Sequence, residues 1–168
     1  VTAAGGGVAA LRRKKLNNHQ LKLVVFRITI ARAASNLERM RSTMLKMDKK
    51  DEMDVRDPKQ EEIVHLAKVW YDAWQDAHAL ILPAEHARMR TLESFEEWLH
   101  KALPDVRVVG PVGAPVGLCI TKGDELYQLS VSADARGSGV AAKLIADFEA
   151  RLSQRGVQVA WLACAIGN

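Results

Sequence analysis

From Met53 onward, apolar and polar positions follow two different periods, and the change between them organises the chain. Ile63, Leu66, Ala67, Trp70 and Trp74 recur at helical spacing, which predicts a helix from about Pro58 to the high seventies. Asp57-Pro58 with Gln60 reads as its N-cap, first-turn proline and capping-box partner. Phe95, Trp98 and Leu99 form the apolar face of a second helix, opened by Ser94 with Glu97 and ended before Pro104. The period then falls to two. Val106 to Val109, Pro115 to Thr121 and Glu125 to Ser132 are strand candidates, and Met53-Asp54-Val55-Arg56 alternates like a short earlier one. The links Gly110-Pro111-Val112-Gly113 and Lys122-Gly123-Asp124 are short and turn-rich, which predicts an antiparallel meander. A third helix follows, with Ala141, Leu144, Ile145, Phe148 and Leu152 on one stripe and Gly156 as its stop. Val157 to Cys164 is a β-rich run, and a helix between it and the preceding strand suits a parallel crossover.

Residues 1–52 lack this order. The first 37 contain no acidic residue, begin with a Gly/Ala stretch and carry Arg12-Arg13-Lys14-Lys15. An apolar run from Leu21 to Ile30 is broken by Lys22 and Arg27. A basic tail for an anionic partner, a transit peptide, and a disordered or non-native extension all fit this composition. The extension is the expectation adopted, with the domain occupying 53–168. Charge changes the picture in one respect. Residues 1–55 hold 12 Lys/Arg against 5 Asp/Glu, and residues 56–168 hold 12 against 15. The net +4 therefore comes from the N-terminal third, and the mildly acidic body is not expected to bind nucleic acid.

At 168 residues, 48% apolar and 26% charged, the chain has the composition of one globular domain. No apolar run approaches the roughly 18–20 residues of a membrane span, and no secretory h-region is visible at the start. Cys119 and Cys164 make neither a disulfide framework nor a metal site. The expectation is a cytoplasmic protein without membrane or metal partners.

One segment carries chemistry. A strand ends near Ser132 and Arg136-Gly137-Ser138-Gly139 leads into a helix. Backbone N–H groups from Gly137 through Ser138, Gly139 and Val140 to Ala141 then lack helical partners and, with the helix dipole, form an anion site. The glycines keep side chains out of a phosphate's way, and Arg136 adds a positive charge. A diphosphate is the ligand this implies. Gly137 to Ala142 also fits the dinucleotide G-x-G-x-x-G/A pattern, which makes a dinucleotide-binding oxidoreductase an alternative. That reading expects an acid on the next strand for the ribose, and no Asp or Glu lies between Glu149 and Asn168.

Arg136, Gly139 and Ala141 resemble the acetyl-CoA signature of the GNAT superfamily of N-acetyltransferases, [RQ]-x-x-G-x-[GA]. The order of helix, helix, three-strand meander, signature, helix and strand is similar to that superfamily's, and Gly167-Asn168 resembles the start of its Asn-x-x-Ala-x-x-x-Tyr segment. The resemblance implies an α/β fold with a mixed, mostly antiparallel sheet, helices on both faces, and the last helix and strands absent. It implies acetyl-CoA as co-substrate, its pantetheine arm beside strand 125–132 where strand 157–164 splays away. Main-chain groups of Leu129 and Val131 would hold the arm, with the Leu129 N–H on the acetyl carbonyl and Asn168 on the cofactor. Histone acetyltransferases of the superfamily carry a catalytic Glu at the offset of Glu125 from Arg136, so the resemblance marks Glu125 as the base. Tyr127 and His78 are candidate acceptor-side residues. His86, Asp72, Asp76 and Glu85 lie near the helix link on that side. The implied function is N-acetyl transfer to a small-molecule or protein amine by direct attack in a ternary complex, with a homodimer as the candidate assembly. A non-catalytic acyl-CoA-binding fragment is the alternative, because the thiolate-protonating Tyr of the superfamily would lie beyond Asn168. One face of strand 157–164 would then be left uncovered.

Overall fold

A computed structural model describes residues 23–29, 53–78 and 88–165. Among the described residues the strands and α-helices follow in the order β1 (Leu23–Thr29), β2 (Val55–Arg56), α1 (Ile63–His78), α2 (Leu92–Ala102), β3 (Val106–Val109), β4 (Gly117–Lys122), β5 (Glu125–Val131), α3 (Val140–Gln154) and β6 (Val159–Ala165). The strands form one sheet in the order β1-β6-β5-β4-β3-β2. All neighbours are antiparallel except β5 and β6, which are parallel and joined through α3. The fold is the mixed, mostly antiparallel α/β sheet expected, with helices on both faces.

Strand alternation builds a core on each face. Val106, Val108, Leu118 and Ile120 point to one side and are fully buried under Ile63, Leu66 and Trp70 of α1 and Phe95 and Leu99 of α2. Val109 and Cys119 point to the other side, under Val140, Leu144, Phe148 and Leu152 of α3. The aromatic residues are core: Trp70 meets Phe95 edge-on at 5.0 Å between ring centroids, and Phe95 meets Trp98 at 5.1 Å. Cys119 is buried and its thiol is pushed up to about 12, mainly by desolvation. Among the described residues no helix is long and apolar enough to cross a membrane.

Both helix starts differ from expectation. A 3-10 turn, Gln60–Glu62, precedes α1. The Lys59 N–H donates to Glu62 Oε2 at 2.7 Å, so Glu62 takes the part expected of Gln60. The same carboxylate accepts from Arg56 at 2.6 and 2.8 Å and from the Gly113 N–H at 2.7 Å. One buried side chain thereby ties β2, the start of α1 and the β3–β4 loop. These donors stabilise its ionised form, and the Arg56 guanidinium leads in holding the carboxyl down at about 2. At α2 the N-cap is Thr91, whose side chain accepts from the Ser94 N–H, and Ser94 sits three residues inside.

The strands differ too. β5 carries a bulge: Gln128 pairs Ile120 and Leu126 pairs Thr121, leaving Tyr127 between them without a partner in β4. β1 pairs with β6 over its whole length, from Leu23 opposite Ala165 to Thr29 opposite Val159. The extension expected over 1–52 therefore includes a strand of the sheet at Leu23–Thr29. The reason is non-local pairing, which converts a weak apolar run into an element by supplying the partner edge of β6. The rest of 1–52 lies outside the described residues.

Candidate functional site

The site begins with a close approach. A Cβ built on Gly117 would lie 2.5 Å from Val140 Cγ1 and 3.3 Å from Leu144 Cδ1. Only a glycine in β4 lets the first turn of α3 sit this close to the sheet, and that contact fixes the turn before α3 beside the end of β5.

The turn runs through a 3-10 segment, Ala133–Ala135, to Gly137 and Gly139, with φ of 78° and 87°. Those angles suit glycine and strain any other residue. Gly139 is the N-cap of α3 and offers no side-chain cap. The N–H groups of Gly137, Gly139, Val140, Ala141 and Ala142 have no partner among the described residues, and the first helical bond runs from the Lys143 N–H to Gly139 O at 3.1 Å. Ser138 differs from expectation: its N–H donates to Ala135 O at 3.3 Å and its hydroxyl to the same oxygen at 2.6 Å. It shapes the turn and does not add a free donor from its main chain. Added Cβ atoms on Gly137 and Gly139 would meet nothing within 4 Å, so the turn is open beside both glycines. Clustered free donors at the positive end of a helix make an anion site. Arg136 stands beside them, half-exposed, its Nη2 donating to Asp76 Oδ2 of α1 at 2.6 Å.

From this turn a gap opens between β5 and β6. The two strands are bridged at one residue pair, Glu125 with Trp161. The Ser132 N–H donates to Val116 O at 2.8 Å, on the β4 side. Alternation turns the main-chain groups of Ser130 the same way and those of Leu129 and Val131 toward the gap. The two residues expected to hold a ligand arm thus turn their N–H groups toward the gap, while Leu129 O also accepts from Gln128 Nε2 at 3.4 Å. At the closed end stands Glu125, its carboxyl raised by burial first; Lys122 pulls it back and Asp124 adds to the rise.

The other candidates fall as follows. Tyr127 sits at the bulge, 43% exposed, with Lys122 Nζ 3.2 Å from its ring centroid. His78 ends α1 folded back on its own helix, stacked on Trp74 at 5.1 Å and with Nδ1 2.9 Å from Trp74 O. Asp72 is paired with Lys68 at 2.7 Å. Asp76 is paired with Arg136, beside the turn before α3. Glu85, His86 and Asn168 lie outside the described residues. No group of His, Cys, Asp or Glu suited to a metal ion occurs among the described residues. Sequence reasoning missed two contacts near the gap. Gln128 Nε2 donates to the buried Ser130 hydroxyl at 2.8 Å, and Asp124 accepts from Trp161. The first was hidden by the bulge, which breaks the alternation, and the second joins residues 37 apart.

No family model and no curated protein matches the chain. Solved structures do. The PaiA N-acetyltransferase of Thermoplasma acidophilum, solved in complex with coenzyme A, aligns with a TM-score of 0.53 at 17% identity, over 62% of this chain and 74% of its own. A GCN5-related N-acetyltransferase from Rhodopseudomonas palustris aligns with a TM-score of 0.50 at 22% identity, over 62% and 68%. At these identities the likeness is one of fold: the chain shares the fold of these two N-acetyltransferases.

Proposed function

We propose that this chain, on its GNAT fold, is an acyl-CoA-dependent N-acyltransferase that moves an acetyl group to a primary amine. The observation that carries the reading is the conjunction of two features at one place: a gap between parallel strands and a turn of unpartnered N–H groups at its open end. A ligand with a diphosphate at one end and an extended, amide-containing arm at the other fits both. Gly137, Gly139, Val140 and Ala141 donate to the diphosphate, and Arg136 adds charge-assisted bonds. The arm pairs with Leu129 and Val131 like an added strand. The likeness to a structure solved with coenzyme A supports the same ligand.

The chemistry follows from the strand. The Leu129 N–H polarises the thioester carbonyl and stabilises the oxyanion formed when the amine nitrogen attacks. The nitrogen–carbon bond forms, the carbon–sulfur bond breaks, and the electron pair leaves on sulfur as the CoA thiolate. Glu125 takes the amine proton. It lies four residues from Leu129, about 13 Å along a strand at the usual rise, so the proton travels through water. Its raised pKa brings a carboxylate nearer to the range in which it accepts a proton at neutral pH.

Two experiments test this. Calorimetry with CoA, acetyl-CoA and NAD is expected to show binding of the first two alone; binding of NAD without CoA would overturn it. An acetylation screen over small amines and peptide amino groups is expected to find an acceptor. CoA binding with no turnover of any amine, in this chain or one extended past Asn168, would leave an acyl-CoA-binding module in place of an enzyme.

A further inference from the structure

The closed end of the gap is pinned by a contact that the proposed reaction does not use. Asp124 accepts twice from Trp161: its carbonyl oxygen from the main-chain N–H at 3.1 Å and its Oδ1 from the indole Nε1 at 3.0 Å. Arg155, at the end of α3, donates to Gly123 O in the same hairpin turn. The tip of the β4–β5 hairpin is therefore held from two points, the C-cap of α3 and the third residue of β6. Ala160 is buried in the α3 core and Leu162 packs against it, so alternation places Trp161 on the opposite face, with Glu125 as its register partner.

We propose that the Asp124–Trp161 clasp sets how far the gap extends past Leu129, and so limits the length of acyl chain the site accepts. The inference rests on the acyl-CoA reading of this gap. Paired strands lie about 4.8 Å apart, and a chain lying between two strands needs about twice that. β5 and β6 are bridged at Glu125 and Trp161, a single strand spacing, and not at Leu129 or Val131, where the arm would lie between them. A thioester carbonyl on the Leu129 N–H directs its alkyl tail toward this bridge, where the clasp holds the strands together. Short acyl groups fit; longer ones meet the junction. Trp161 and Asp124 act through the strands they join and are positioning residues.

The test is a binding ladder, which needs no acceptor: calorimetric affinities for CoA, acetyl-CoA, butyryl-CoA and hexanoyl-CoA. The wild-type chain is expected to bind hexanoyl-CoA at least about tenfold more weakly than acetyl-CoA, a discrimination that a few methylenes readily produce. Trp161→Leu and Asp124→Ala are expected to flatten the ladder to within about threefold, while Asp124→Asn, which keeps an acceptor for the indole, retains it. General damage would lower every affinity together and leave the ratios unchanged. If Trp161→Leu does not fold, Asp124→Ala decides. A ladder that is flat in the wild type, or equally steep in folded variants, overturns the proposal while the acyl-CoA reading stands. A wild-type chain that binds neither CoA nor any acyl-CoA overturns both.

Discussion

Two arginine–carboxylate pairs hold this molecule in different ways. Arg56 reaches Glu62 with two nitrogens, and the carboxylate, 2% exposed, also takes two main-chain donors. Arg136 reaches Asp76 with one nitrogen, and both side chains are about half exposed. The first pair is saturated: every strong acceptor direction is used, and nothing can replace one partner without stranding the other. The second leaves most of the guanidinium's donors free and faces water. Burial and saturation make a lock; exposure and spare donors make a contact that a ligand phosphate can share or displace. The lock stands at the β2 edge of the sheet, away from the gap, and the open contact stands at the mouth of the gap.

The sharpest way to break the comparison is at the lock. Glu62→Gln keeps the size of the side chain and leaves Arg56 facing a neutral amide. A loss of about 3 kcal/mol in unfolding free energy is expected, the lower end for a broken buried pair because Arg56 is partly exposed. The pH dependence has a definite sign. Glu62 is depressed to about 2 in the folded chain from an ordinary 4.5. Its stabilisation is present above pH 4.5 and is lost as pH falls through about 2. Denaturant melts at pH 7, 4 and 2 should show this loss in the wild type and its absence in Glu62→Gln. Equal stability of the two at neutral pH would remove the lock.

Next in size is the effect on rate. Glu125→Gln is expected to lower turnover about a hundredfold at neutral pH, the usual worth of a positioned base. Much of that returns at high pH, where the amine is already neutral, and CoA affinity is unchanged. In the wild type the rate climbs as Glu125 loses its proton, so the acid limb is shifted upward from the ordinary carboxyl value by the burial of that group. Near-normal rates in the variant would take Glu125 out of the mechanism. The smallest effect belongs to the open pair. Asp76→Ala should change stability by no more than about 1 kcal/mol, as for other exposed pairs. It should not weaken CoA binding. A tenfold loss of affinity would show that Asp76 aims Arg136 at the ligand, and the contrast with Arg56–Glu62 would shrink.

What could be read from the sequence was local. The helix stripe from Leu144 to Leu152, the meander, and the turn at Gly137 and Gly139 all follow from side-chain period and backbone sterics within a few residues. Contacts between distant segments could not be read. The bulge at Tyr127 is a property of the β4–β5 register, and it moves Leu129 onto the α3 face three positions after Leu126. β1 becomes a strand because β6 offers an edge. Thr91 and Ser94 are both good N-caps by type, and residue type alone does not choose between them. Asp124 and Trp161 carried no signal in the sequence, since an exposed turn acid and a strand tryptophan meet only once the crossover is made.

The central claim is that the turn at Gly137 to Ala141 holds a diphosphate, and a calorimetric titration with CoA of the wild-type chain beside Gly139→Asp tests it most directly. An added side chain at Gly139 points into open space, where it strikes no protein atom and carries a carboxylate to the place assigned to the ligand. The φ of 87° also strains any residue but glycine, so circular dichroism and a melting curve accompany the titration. The predicted result is measurable CoA binding by the wild type and at least about tenfold weaker binding by the folded variant, the worth of one charge-assisted phosphate contact. Equal CoA affinity in the two folded proteins, or no CoA binding by the wild type, would contradict the account.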